Sequence, residues 1–239
     1  MYDMGSFYEA KSVQEAIELR LAHPEADIIA GGTDVLVQMR EGKRAGKSLI
    51  SIFGIDELRG IRLEDDGTIR IGSLTSFSHI TRDPLIEKNL LCLGEAVDQV
   101  GGPQIRNAGT IGGNTCNGVT SADSSSTLHA YDAVIELTGK NGVRRLPIQE
   151  FYIKAGVVDI HVDEGEIQTG ILISRDSYEN TNGYYQKNAK EQFKRPFVYQ
   201  RYAALKCRNK SYQSYSYAKD KKTDVFELNI SDVFIKLFE

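Results

Sequence analysis

Three cysteines, Cys92, Cys116 and Cys207, are all the chain has, and they lie far apart without a CxxC pair. So few thiols cannot build a four-cysteine zinc or iron–sulfur site. Their spacing sets up no disulfide framework either, so they read as reduced and structural. No uncharged apolar run approaches the ~18 residues of a membrane span, and no transmembrane helix is expected. The first residues, Met1-Tyr2-Asp3-Met4-Gly5, offer neither a basic stretch nor an apolar one. No signal peptide is therefore expected, and the cytoplasm is the default compartment. A net charge of −4 gives no electrostatic reason to expect nucleic acid as a partner.

Chemical signatures are missing as well. No G-x-G-x-x-G follows a strand, and no phosphate-loop lysine motif, G-x-S-x-G elbow or H-E-x-x-H occurs. The histidines His23, His79, His129 and His161 are scattered without ligand spacing, so no metal site is expected.

What the chain does have is glycine in two places. Ala30-Gly31-Gly32-Thr33-Asp34 follows the apolar run Ile28-Ile29, and Gly109-Thr110-Ile111-Gly112-Gly113-Asn114 sits in a stretch dense with short hydroxyl and amide side chains. Glycine lets backbone N–H groups approach a ligand closely, and successive N–H groups in such turns form concavities for phosphate. Two such segments can grip a diphosphate from opposite sides, which reads as a dinucleotide cofactor site. The plainer alternatives are a strand-to-helix turn capped by Thr33 or Asp34 and a polar surface loop.

Around these segments the pattern is α+β. Ser12 and Glu15 form a capping-box signature for a helix that Pro24 closes. Asp27–Ala30 and Ser48–Ile52 read as short strands, and Ile61–Ile71 as a hairpin turning at Asp65-Asp66-Gly67. Helical residues are expected over Thr75–Ile80 and Leu90–Val100, a break at Gly101–Asn107, and strands over Tyr131–Thr138, Val143–Pro147 and Gly165–Ile173. From residue 178 onward the chain has one of its 22 glycines but eight of its 12 tyrosines, with an excess of lysine and arginine. Lys206–Lys222 lacks apolar periodicity and reads as poorly ordered, and the composition changes near residue 185.

Asp27–Asp34, Gly102–Gly118 and Thr120–Asp123 together resemble the FAD-binding medium subunit of bacterial xanthine dehydrogenases, in the molybdenum hydroxylase family. The resemblance runs from about residue 1 to residue 188. It implies a PCMH-type FAD-binding fold of two α/β subdomains, about 1–54 and 55–177, with 178–239 a divergent remnant of a C-terminal domain. By this resemblance Asp27, Ile28, Ile29, Ala30, Gly31, Gly32, Thr33 and Asp34 wrap the FAD diphosphate, and Gly109, Thr110, Ile111, Gly112 and Gly113 meet it from the other side. Asn114 and Asp123 match cofactor-bonding positions, Ile167 a backbone contact at the adenine end, and Lys187 a basic position near the flavin. The implied reaction is purine (xanthine or hypoxanthine) oxidation at a molybdopterin cofactor on a large subunit. Electrons then pass through [2Fe–2S] clusters on a small subunit to FAD here and on to NAD+. After Asn188 the family's pattern stops, which points to a truncated or frame-shifted member, or to a fragment without activity.

Overall fold

Ser12 starts the first helix as the sequence predicts. Its Oγ accepts from the Glu15 N–H at 3.1 Å, and the Glu15 carboxylate reaches back to the Lys11 N–H at 2.8 Å. The computed structural model describes residues 3–119 and 122–189, and the backbone of 199–207 and 213–218. Within 182–189, Tyr185 is the residue whose side chain is described.

The N-terminal part alternates strand and helix: β1 (Phe7–Glu9), α1 (Val13–Ala22), β2 (Asp27–Ile29), α2 (Val35–Arg40) and β3 (Leu49–Ser51). Its strands form a parallel sheet in the order β1-β3-β2. β3 runs through the middle and is buried along its whole length, as the centre of a covered parallel sheet requires. Ala16 and Ile17 of α1 pack on Ile52, Ile55, Leu58, Leu74 and Ile167.

The second part is built on a five-stranded antiparallel sheet. Its strands are β4 (Ile61–Leu63), β5 (Ile69–Gly72), β6 (Val134–Gly139), β7 (Gly142–Pro147) and β10 (Ile167–Ile173), in the order β4-β5-β10-β6-β7. Between β5 and β6 come six helices: α3 (Phe77–Ile80), α4 (Pro84–Asn89), α5 (Leu91–Asp98), α6 (Pro103–Ala108), α7 (Ile111–Cys116) and α8 (Asp123–Ala130). Leu93, Ala96 and Val97 of α5 and Leu128 of α8 meet Ile69, Ile71, Ile135, Leu137, Ile171 and Ile173 of the sheet in one core. A short helix, α9 (Ile148–Phe151), leads into the small hairpin β8 (Tyr152–Lys154) and β9 (Val157–Val158), and α10 (Arg175–Tyr178) comes after β10. A third sheet, β11 (Thr181–Ala189), β12 (Tyr199–Cys207) and β13 (Gln213–Ala218), is antiparallel and lies against α5 and α8.

The structure departs from the sequence reading in three places. The expected break at Gly101–Asn107 contains α6, and the second glycine segment coils into α7. The composition change near residue 185 falls inside the unbroken strand β11, and β12 and β13 take parts of the stretch read as poorly ordered. The apolar run Val225–Phe238 lies outside the described residues.

One buried carboxylate ties the second sheet across four strands, from β5 over β10 to β7. Glu136 on β6 forms ion pairs with Arg70 of β5 and with Arg145 of β7, the latter at 2.8 Å. Burial favours its neutral form, but the hydrogen bonds and charges of the two arginines outweigh this and hold its pKa below the ordinary 4.5. The folded chain thus holds Glu136 more acidic than the unfolded chain does. These pairs stabilise the fold above pH 4.5, and the contribution is lost as pH falls through the lowered value. Glu136→Gln is therefore expected to unfold at lower urea than wild type near neutrality, with the gap narrowing as the buffer is acidified.

Candidate functional site

The first glycine segment is the turn from β2 into α2. Gly32 sits at φ +70°, a left-handed conformation that glycine adopts without strain. Gly31 is glycine for another reason: a Cβ there would stand 1.7 Å from the carbonyl oxygen of Ala108, the last residue of α6. The segment is thus pressed directly on the start of the second motif. The N–H groups of Gly31, Gly32, Thr33 and Asp34 find no acceptor among the described residues. The carboxylates nearby are occupied. Asp27 pairs with Arg44 at 2.6 Å, Arg44 also donates to the Gln38 side-chain oxygen at 2.6 Å, and the Gln38 amide donates to Asp34. The turn presents unpaired N–H groups, with Asp27 neutralised by Arg44, a surface that can receive an anion.

The second segment works differently. Thr110 caps α7, its Oγ1 accepting from the Gly113 N–H at 3.2 Å. The N–H groups of Ile111 and Gly112 donate to the carbonyls of Thr75 and Ser73, and that of Asn114 to the carbonyl of Thr110. Gly112 has no room for a side chain, since a Cβ would lie 2.6 Å from that of Ser73. These glycines press the segment flat on the Ser73–Thr75 turn, with the N–H groups of Gly109 and of residues 111–114 already used. What remains for a ligand is side-chain chemistry, chiefly the Asn114 amide. Its Oδ1 accepts from Ser124 at 2.6 Å, and its Nδ2 has no partner among the described residues.

Most of the residues expected at the site come together. Asp27–Asp34 and Gly109–Asn114 meet through Gly31 and Ala108, and Asn114 reaches the start of α8 through Ser124. Asp123 is buried there and accepts from the Tyr185 hydroxyl at 3.0 Å, which ties β11 to the same corner. The Ile167 side chain is buried in the N-terminal core. Its neighbour Gln168 binds α7, accepting from Thr115 Oγ1 at 2.8 Å and from Cys116 Sγ at 2.9 Å. The backbone of Lys187 pairs with Arg201 in the third sheet, and its side chain lies outside the described residues, as do Thr120 and Ser121. An open depression lined by Ser76, His79, Arg82, Asp83 and Asn107 flanks the junction.

Sequence reasoning missed Arg44, Ser124, Gln168 and Tyr185. For Gln168 there was a signal, a glutamine inside an otherwise apolar strand. Burial pushes the Cys116 thiol up to about 12, so it stays neutral, and burial lowers the pKa of His129 despite its hydrogen bond to the Ser125 carbonyl. The structure does gather His161, Glu164 and Glu166, which are also near one another in sequence. Glu166 is already engaged there by Arg144 at 2.8 Å and by the His161 N–H at 2.8 Å, so ion pairing accounts for the cluster.

Residues 2–173 match the family described as the FAD binding domain in molybdopterin dehydrogenase, and the chain belongs to that family. It is 42% identical over 164 residues to the putative xanthine dehydrogenase FAD-binding subunit XdhB of Escherichia coli, covering 69% of this chain and 56% of that one. It is 33% identical over 182 residues to the nicotinate dehydrogenase FAD-subunit of Eubacterium barkeri, covering 75% of this chain and 61% of the relative. The chain thus spans a little over half the length of these relatives. In structure it is similar to carbon monoxide dehydrogenase of Hydrogenophaga pseudoflava, with a TM-score of 0.74 and 28% identity over 86% of this chain and 75% of that one. The fold implied by the resemblance is the fold found. No described helix is long and apolar enough to cross a membrane.

The Gly31 contact is open to a direct test. Gly31→Ala forces a methyl into the Ala108 carbonyl and is expected to cost about 1–3 kcal/mol or more. Gly54→Ala, whose added Cβ meets only the Glu9 carboxylate at 3.7 Å, is expected to leave stability near wild type. Urea denaturation midpoints of the two variants make the comparison.

Proposed function

We propose that this chain is the FAD-carrying electron-transfer subunit of a xanthine-dehydrogenase-like molybdenum hydroxylase acting on a purine in the cytoplasm. The observation that carries the reading is the turn Gly31–Asp34, whose unpaired N–H groups are held against the second glycine segment by the Gly31–Ala108 contact. That arrangement suits the diphosphate of FAD. Asp27–Asp34 line one side and Gly109–Asn114 the other. Asp123 bonds the cofactor from the start of α8, Ile167 lies at the adenine end, and Lys187 supplies a positive charge by the flavin. FAD, when bound, supplies the redox chemistry that joins one-electron clusters to a two-electron acceptor. The chain's own residues bind and orient it.

The partners in this reading are a large subunit with molybdopterin, a small subunit with [2Fe–2S] clusters, and NAD+ as acceptor. Neither nucleic acid nor a membrane takes part. Residues 1–177 form the flavin-binding unit, and 178–239 are a segment divergent from the family's C-terminal domain. Identity to the E. coli xanthine dehydrogenase subunit supports the purine assignment. Identity to subunits of nicotinate and carbon monoxide dehydrogenases supports a second reading, the same subunit serving a different substrate.

Titration of the purified chain with FAD, followed by flavin absorbance and fluorescence, tests the cofactor assignment. Saturable binding is expected, weakened about tenfold or more in Gly32→Val, which forces a β-branched residue to positive φ. A folded chain that takes up no FAD would overturn the proposal. Xanthine-dependent reduction of NAD+ by the assembled enzyme distinguishes the two substrate readings.

A further inference from the structure

We infer that Gln168, supported by Arg20, recognises the purine end of the bound dinucleotide and so selects FAD over FMN; the inference rests on the FAD reading above. Gln168 lies at an irregularity of β10. It pairs with Leu137 and Gly170 pairs with Glu136, so Thr169 is an extra residue in the strand. Bulges of this kind re-aim side chains and recur beside binding sites. Here the bulge accompanies a glutamine that is 4% exposed in a strand whose every residue is buried.

The carboxamide of Gln168 is only half satisfied. One of its polar atoms faces Thr115 Oγ1 and Cys116 Sγ in the last turn of α7. The other, assigned as Nε2, is buried with no hydrogen-bond partner. Turning the amide over exchanges the two atoms and still leaves one unpaired, so the vacancy does not depend on the assignment. Buried polar groups are almost always paired, and an exception calls for a partner that completes it, an ordered water or a bound ligand.

A second unpaired donor lies beside the same cysteine. Arg20 projects from α1, its Nε buried without a partner. Burial lowers its pKa, and its electrostatic neighbours are Cys116 and Asp27. Asp27 opens the strand that feeds the first glycine segment, and Cys116 ends the helix that the second one begins. Gln168 and Arg20 therefore neighbour the ends of α7 and β2 that lie away from the proposed diphosphate grip. A purine ring matches what they offer. Its edge carries both acceptor nitrogens and, in adenine, an amino donor, so either orientation of the amide finds a complement. A guanidinium plane also packs well on an aromatic face.

The test uses Gln168→Met, which keeps length and volume while removing both polar atoms, and Arg20→Met as an independent second variant. FAD, FMN and ADP competing against FAD are titrated into wild type and both variants. Without ligand, Gln168→Met is expected to be as stable as wild type or more so, because an unpaired buried group is gone. Its FAD and ADP affinities are expected to fall about fivefold to tenfold, as for one lost hydrogen bond, with FMN unchanged. Arg20→Met is expected to show the same selective loss. Equal weakening of FAD and FMN, or unchanged FAD binding in the variants, would overturn the inference and leave the FAD reading intact. Wild type that takes up no FAD overturns both.

Discussion

The carbonyl of Ala108 occupies the place where residue 31 would carry a side chain, and the geometry of the site depends on that contact. It brings the β2–α2 turn against the end of α6, and with it α7 and α8 further along the chain. Because α7 is pinned in turn to the Ser73–Thr75 turn by two backbone hydrogen bonds, the first segment is registered against the central sheet as well as against its neighbour. This contact joins the parallel three-stranded sheet to the antiparallel five-stranded one, beside the packing of α1 on Leu74 and Ile167. The two glycine segments lie at that junction, with polar groups on both sides.

The segments look alike in sequence but divide the work. In the first, glycine serves close approach and a left-handed turn, and the N–H groups stay free. In the second, glycine serves packing, and three consecutive N–H groups are used up by Thr75, Ser73 and the Thr110 cap. An anion that enters between them meets backbone donors on one wall and side-chain amides and hydroxyls on the other. Of the two acids that would repel it, Asp27 is neutralised by Arg44, and Asp34 accepts a hydrogen bond from the Gln38 amide. Tyr185 adds a fourth element to the same corner by holding Asp123 from the third sheet.

Much of this was legible from sequence because it is local. The Ser12–Glu15 cap, the turn at Asp65-Asp66-Gly67, and the strands ending at Ile29 and Ile173 arise from spacing and turn chemistry alone. The helices α6 and α7 were not legible. Segments rich in glycine, threonine and asparagine have low intrinsic helix propensity, and α7 forms because distant carbonyls receive its first N–H groups. α8 was missed for a related reason, since Asp-Ser-Ser-Ser-Thr carries no apolar stripe and is buried by the elements packed around it. Of the site, the glycine segments could be read directly. Gln168 showed only as a polar residue in a largely apolar strand, and its partners and those of Tyr185 lie across sequence separations that no local pattern encodes.

That burial of α8 has a thermodynamic consequence. Each of its eight residues is buried, yet serines, a threonine, an aspartate and a histidine make up most of them. The surface that α8 contributes to the interior is therefore largely hydroxyl and carbonyl rather than hydrocarbon. Wetting polar surface lowers heat capacity where wetting apolar surface raises it. Exposing α8 would thus add little to the heat-capacity change of unfolding, which comes chiefly from the apolar core beneath.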